Sequence, residues 1–387
     1  MRVGFLLNHD APHQVPHIAP HAFALSRLRP GWDVRLMCST QAEVDFATEI
    51  GTLYEAHHCL IERLHVPLWA RAVDPVVRHF AFLRKHAVQE ANLARFARFD
   101  ALVVPEMTSL RLKAHAAMSG VKMVFTNHGA GDGYNQFGTY DPRFDEFDLV
   151  LLAGPHIARE LIAKGRLIST PYALIGYAKF EIAALAGARP SLFDNDRPTV
   201  LYNPTQNPDG SSWHRFGPQV LEYFLASDDY NLIFAPHVLL FTRSMTRGAR
   251  LPGWARSNDT VLIDRGSRAS VDMTYQTAAD LYLGDMSSQI YEFIATPRPA
   301  VFLDPFGPES VIDRNFRSWT FGPVIEDIGQ LGRTLEAAFS GFHDYRPVQE
   351  AAFAEHFVQS DVAASARGAR VIADFLEAGA VDPAFQL

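Results

Sequence analysis

The chain has 387 residues, a length expected of two domains rather than one. It is 48% apolar and 20% charged, as globular proteins are, and no apolar run approaches the ~18 residues that span a bilayer. A net charge of −8 argues against general nucleic-acid binding, and the two cysteines, Cys38 and Cys59, supply neither a disulfide framework nor a zinc set. Arg2 is followed by only Val3 to Leu7 before the apolar run breaks, too short for a signal peptide, and the two cysteines without a disulfide framework fit a reducing cytoplasm.

Val3 to Asn8 carries no charge and predicts a central strand. His9, His13, His17 and His21 then recur every fourth residue, a spacing that on one helix would gather imidazoles for a metal. Pro12, Pro16 and Pro20 interleave with them and argue against such a helix, which predicts a loop at the carboxyl end of the first strand, facing a ligand cleft. Strand, helix and strand follow over Trp32 to Ser39, Gln41 to Ile50 and Tyr54 to Ile61. Trp69 to Phe99 reads as long helix, restarted at Pro75, with Arg71, Arg78, Arg84, Lys85, Arg95 and Arg98 among Phe80, Phe82, Leu83 and Leu93. Such a face could lie peripherally on the inner surface of an anionic membrane, but a charge run more often marks a solvated helix over core residues. Asp100 to Pro105, Thr108 to Met118 and Lys122 to Asn127 continue as strand, helix, strand.

The last of these strands runs into His128 and then Gly129, Gly131 and Gly133. Glycines allow close backbone approach, and an imidazole at a strand end, with an ordinary pKa of about 6.5, suits general-base work. A histidine capping a glycine turn is the plainer reading. Strands over Phe147 to Ala153 and Ala173 to Gly176 flank a helix over Pro155 to Lys164. Gly187 to Pro198 is polar and turn-rich, which predicts a linker and a division into residues 1–190 and 191–387. Asp194-Asn195-Asp196 within it reads as a turn rather than a metal site, because Asp and Asn favour turns on their own account.

The second half repeats the alternation. Strands over Thr199 to Tyr202, Tyr230 to Phe234 and Thr260 to Ile263 run into Thr205 or His237 or a further turn, with a helix over Phe216 to Ala226. Ala278 to Gly284 is a strand, Asp285-Met286-Ser287-Ser288 opens a helix over Gln289 to Ala295, and Ala300 to Leu303 is the next strand. A serine-capped helix start favours an anion, although an ordinary cap looks the same in sequence. Thr205, His237, Ser287 and Ser288 thus converge at the carboxyl ends of parallel strands, where open α/β sheets bind ligands. Gln330 to Leu376 is helical by pattern and its last helix can cross back to the first domain. The fold class expected is α/β, GT-B, with two Rossmann-like domains facing a cleft: an acceptor domain and a nucleotide-donor domain.

With these stretches in view, the sequence resembles the CDP-glycerol glycerophosphotransferases, the teichoic-acid primases and polymerases. The resemblance lies in Tyr202-Asn203-Pro204-Thr205, Pro236-His237, Asp285-Met286-Ser287-Ser288, Phe321-Gly322-Pro323-Val324, His128-Gly129 and, loosely, Gly176-Tyr177-Ala178-Lys179. It departs where Gln206-Asn207 follows the threonine, where Pro-His replaces His-Pro, and where Gly129-Ala130-Gly131-Asp132 continues the histidine element. The resemblance implies transfer of a polyol phosphate from a CDP-polyol to a hydroxyl of a glycan or lipid-linked acceptor, releasing CMP, in cell-surface polymer synthesis. It implies His128 and His237 as the catalytic histidines and Thr205, Asp285, Ser287, Ser288 and Glu292 on the donor, with Gly129 and Asp132 on the acceptor. No metal or other cofactor is called for. A UDP-sugar glycosyltransferase or epimerase on the same scaffold, and a nucleotide-binding protein without chemistry, are the other readings.

Overall fold

The computed structural model describes residues 1–8, 12–77, 83–126, 128–129, 142–187, 189–241, 248–307 and 316–387. The chain forms two compact units. The first takes its described residues from 1–129, 142–186 and 354–387, and the second from 187–353. The change of unit falls between residues 186 and 187, at the start of the turn-rich stretch, and residues 354–387 go with the first unit rather than the second. Within the stretch Asn195 accepts from Arg197 N at 3.0 Å and from Asn231 Nδ2 at 2.8 Å. Asp194-Asn195-Asp196 is therefore held as a turn by its own amide side chain.

The first unit opens with β1 (Arg2–Leu7), α1 (Val15–Leu28), β2 (Asp33–Cys38), α2 (Gln41–Gly51) and β3 (Leu60–Arg63). Then come α3 (Leu68–Val77), α4 (Leu83–Ala91), α5 (Leu93–Phe96), β4 (Ala101–Val104) and β5 (Lys122–Thr126). β6 (Leu149–Leu152), α6 (Pro155–Ala163), β7 (Tyr172–Leu174) and α7 (Lys179–Ala186) complete its first pass. All described pairings are parallel, in the order β3-β2-β1-β4-β5-β6-β7. The inner strands are apolar on both faces because helices cover both sides, as a parallel sheet requires.

Three expectations are corrected here. The described part of the histidine segment is helical, not loop: His13 lies in a 3₁₀ turn, Pro12–Gln14, and His17 and His21 in α1. Pro16 sits in the first turn of α1, where its missing N–H would have had no partner, so only Pro20 removes a helical hydrogen bond. Of the long helix predicted over residues 69–99, residues 78–82 lie outside the described residues; the rest forms α3, α4 and α5, and Pro75 lies inside α3 rather than starting a new helix. Arg78, Phe80 and Phe82 are outside the described residues, and the described Arg84, Lys85 and Arg95 turn to separate partners. Arg84 donates to Ser39 O at 2.7 Å, Lys85 is buried against Glu106, and Arg95 pairs with Glu62. The expected helix over Thr108 to Met118 is a pair of short 3₁₀ turns, Met107–Ala114 and Ala116–Met118.

The second unit holds β8 (Thr199–Asn203), α8 (Trp213–Ala226), β9 (Asn231–Phe234), β10 (Val261–Ile263), α9 (Thr274–Ala278), β11 (Leu281–Gly284) and α10 (Ser288–Phe293). β12 (Ala300–Leu303), β13 (Val324–Ile325), α11 (Leu331–Ser340) and most of α12 (Phe342–His356) follow. Its sheet is parallel in the order β10-β9-β8-β11-β12-β13. The core beneath it includes Trp213 stacked on Phe234, centroids 5.2 Å apart.

The last helix, α13 (Ala364–Ala378), packs on α1 within the first unit. Glu181 of α7 accepts from Ser365 N at 2.6 Å at its start, Arg367 reaches Leu174 O at 2.8 Å, and Arg29 pairs with Glu377 at 2.8 Å. Gly368 makes the approach to α1 possible, since a Cβ there would lie 2.4 Å from His21 Nδ1. Among the described residues no helix is long and apolar enough to cross a membrane.

Two contacts carry predictions for stability. A Cβ on Gly154, at the end of β6, would meet His356 O at 2.0 Å, a backbone atom that cannot turn aside. Gly154→Ala is expected to cost about 1–3 kcal/mol by displacing residues 356–358, read as a lower urea midpoint. In the second unit Asp285, fully buried, accepts from Thr205 N at 2.7 Å and Ser212 N at 3.0 Å. Burial raises its pKa from 3.8 to about 7 against the hydrogen bonds to Ser212 and Thr205 that favour the carboxylate. A raised folded pKa means that the fold binds this proton more tightly than the unfolded chain. Its contribution to stability is complete below about 4 and is lost as pH rises through about 7. Asp285→Asn aims an amide N–H at a backbone N–H and is expected to cost about 1–3 kcal/mol at low pH. The gap between the two proteins should narrow as pH rises through about 7. Urea titrations of both at several pH values check this.

Candidate functional site

In each sheet the strand order reverses once, between β1 and β4 in the first unit and between β8 and β11 in the second. Loops leaving the carboxyl ends part there, and the crevice between them is the ordinary ligand position of this architecture.

In the second unit, backbone bonds draw the expected residues together at that edge. Tyr202 pairs with Phe234 and Asn203 with Gly284 across the sheet. His237 N donates to Pro204 O at 2.9 Å, which fixes His237 beside Thr205. Thr205 N donates to Asp285, two residues before Ser287. Ser287 caps α10, its Oγ accepting from Gln289 N at 3.2 Å, and Tyr282 Oη donates to Asp285 O at 3.1 Å beneath the turn. Thr205, His237, Ser287 and Ser288 are half-buried, whereas Asp285 is wholly buried and spends both oxygens on the loop that carries Thr205. Its place is behind the edge, as a support. Glu292 lies one turn into α10 and is buried, not on the surface.

Leu239 N donates to His237 Nδ1 at 3.2 Å. A ring nitrogen that accepts carries no proton, so neutral His237 holds its proton on Nε2. It is a hydrogen-bond donor by construction.

In the first unit His128 follows β5. Its Nδ1 lies 2.6 Å from Pro105 O, and a carbonyl only accepts, so Nδ1 carries the proton and Nε2 is left as a base. Burial holds its pKa below the usual histidine value, Lys85 adds to this, and the bond to Pro105 and the charge of Glu106 oppose it. The two histidines therefore present opposite chemistry at Nε2, an acceptor on His128 and a donor on His237. Gly129 is half-buried beside His128, and Asp132 lies outside the described residues.

Other groups around His128 escaped the sequence reading. Asn8 ends β1 and donates to Lys85 O at 3.0 Å. Lys85 forms a buried ion pair with Glu106, the second residue after β4 and the neighbour of Pro105. The rings of His13 and His17 stand 6.1 and 6.5 Å from that of His128. Burial and then Lys179 push the pKa of His17 well below the ordinary value, and His21, turned toward α13, is pushed down to about 4 by burial. The signal was the strand-end rule that singled out His128, which Asn8 and Glu106 also satisfy. His9 is outside the described residues, and among those described no group of three or more His, Cys, Asp or Glu is arranged to hold a metal.

Neither a family model nor a curated protein matches the chain's sequence. Solved structures do match its fold. A protein provisionally assigned as a UDP-N-acetylglucosamine 2-epimerase, from Listeria monocytogenes, aligns with a TM-score of 0.61 at 11% identity, covering 98% of this chain and 96% of that one. A variant of the wall teichoic acid polymerase TagF soaked with CDPG aligns at 0.58 and 14%, covering 97% and 88%. The S. aureus MnaA–UDP structure aligns at 0.58 and 11%, covering 97% and 96%. At such identities the likeness establishes the fold alone: two parallel α/β units of seven and six strands, the GT-B fold.

Proposed function

We propose that the chain is a GT-B transferase that moves a glycerol phosphate, or another polyol phosphate, from a CDP-polyol to a hydroxyl acceptor and releases CMP. The observation that carries this reading is the pair of opposite tautomers at the two sheet edges. His128 Nε2 takes the proton of the acceptor hydroxyl. The acceptor oxygen bonds to the polyol-side phosphorus, the bond from that phosphorus to the bridging oxygen breaks, and CMP leaves with that oxygen. His237 donates to the diphosphate as charge gathers on it, with the hydroxyls of Thr205, Ser287 and Ser288 beside it. Asp285 holds the Thr205 loop at this edge, and Glu292 takes a ribose hydroxyl. Gly129 and Asp132 belong to the acceptor side. Phosphoryl transfer asks chiefly for positioning and charge stabilisation, which such a set of neutral donors supplies. A UDP-sugar donor is the alternative, because MnaA was solved with UDP as TagF was with CDPG.

Lipid contact for the acceptor is supported by α3 rather than by the basic stripe. Leu68, Trp69 and Val76 are 77%, 55% and 69% exposed, and Arg71 beside them is exposed as well. An apolar helix face with a tryptophan and an arginine fits an anionic bilayer surface.

Thermal shift against CDP, CMP, UDP and UMP tests the donor: stabilisation by the cytidine nucleotides is expected, and preference for the uridine pair transfers the reading to a UDP-sugar. With a donor identified, His128→Ala is expected to lower turnover about 10²–10⁴-fold. Because His128 is held below its ordinary pKa, activity should persist down to pH 6.5 and fall only below it, as the base protonates. Full turnover by His128→Ala would remove it from the mechanism. Trp69→Ala combined with Val76→Ser should abolish flotation on phosphatidylglycerol vesicles. No flotation on these vesicles would sever the protein from membranes, and flotation unchanged by these substitutions would remove α3 from the contact.

A further inference from the structure

Around His128 stand three buried polar atoms with no hydrogen-bond partner in the protein: Asn8 Oδ1, Glu106 Oε1 and His17 Nδ1. Each residue is itself shielded. Asn8 and His17 are 1% and 6% exposed, and the side chain of Glu106 is 11% exposed. A buried polar atom left unsatisfied costs about 1–3 kcal/mol, and native structures keep such atoms chiefly where something else completes them. Three about one base, at the reversal of strand order, describe a recognition surface.

The atoms also say what completes them. Asn8 Oδ1 and Glu106 Oε1 only accept. Glu106 has its charge offset by Lys85, and Asn8 is tied through Nδ2 to the same lysine's carbonyl. Pro105 and Glu106 are consecutive, so the atom that orients His128 and the carboxylate are one residue apart. His17, kept neutral by burial, can accept or donate at Nδ1. The complement of two acceptors and one ambivalent nitrogen, without unbalanced carboxylate charge, is a set of hydroxyl groups. An amine would need the carboxylate that Lys85 already holds, and an anion would be repelled by an amide oxygen and a carboxylate oxygen.

We infer that the β1–β4 edge of the first unit binds a polyhydroxy acceptor, a polyol or a sugar ring, through Asn8, Glu106 and His17. One hydroxyl faces His128 Nε2, and at least one neighbouring hydroxyl is gripped by Glu106 Oε1 or Asn8 Oδ1. This rests on the reading of His128 as the base and adds the class of acceptor and three positioning residues. Lys85 acts through Glu106, holding the carboxylate in place.

Saturation-transfer NMR on the full chain, without nucleotide, tests it with glycerol, ribitol and N-acetylglucosamine as probes, and with 1-propanol and inorganic phosphate as controls. At least one polyhydroxy probe should bind, 1-propanol should not, and His17→Leu should weaken that binding at least tenfold. Because His17 Nδ1 has no partner in the fold, His17→Leu should keep or raise the melting temperature, which a structural role for the imidazole would not allow. Glu106→Gln, which keeps the shape, should weaken the same probe and decides the matter if His17→Leu does not fold. Binding of no polyhydroxy probe, equal binding of 1-propanol, displacement of the probe by phosphate, or affinities unchanged in both variants would overturn the inference. No donor is present, so a wrong nucleotide assignment in the second unit leaves this result untouched, and failure here leaves that assignment standing.

Discussion

Parallel strand pairing needs a crossover for every strand, and a sheet whose crossovers change direction must part its loops at one place. Both units are built on that constraint, at β1 and β4 in one and at β8 and β11 in the other. Every candidate residue follows from it.

The two edges use buried polarity differently. Asp285 is satisfied twice over by backbone amides and so fixes the loop that carries Thr205. The Glu106 carboxylate is satisfied on one side only, by Lys85, and its other oxygen has no hydrogen-bond partner. A fully bonded carboxylate is architecture, while a half-bonded one is a hand held out. The energetic logic is the same in both, because a buried polar group costs most when it is left alone.

The histidines show how little distinguishes a base from a donor. A carbonyl against Nδ1 of His128 and an amide against Nδ1 of His237 set opposite tautomers. Neither choice needs a carboxylate partner, and neither depends on solution pH so long as the rings stay neutral. Burial keeps His128 in that state at neutral pH.

Short charge-free runs such as Val3 to Leu7, Ala101 to Val104 and Leu281 to Gly284 could only be buried parallel strands, so the α/β architecture and the strand-end positions of His128, Thr205, His237 and Ser287 were readable from residue order. Local rules failed where packing outweighed them. Prolines that argue against helix were absorbed into α1 because burial of Val15, Ile18, Ala19 and Phe23 outweighs one lost hydrogen bond at Pro20. The arginines of residues 84–95 found separate partners, which no helical pattern encodes. The grouping of Asn8, Lys85 and Glu106, separated by 77 and 21 residues, exists only once β1 and β4 pair. Strand identity is a property of a few consecutive side chains. A site at a sheet edge is a property of which strands lie together, and that is fixed by the free energy of the whole packed unit.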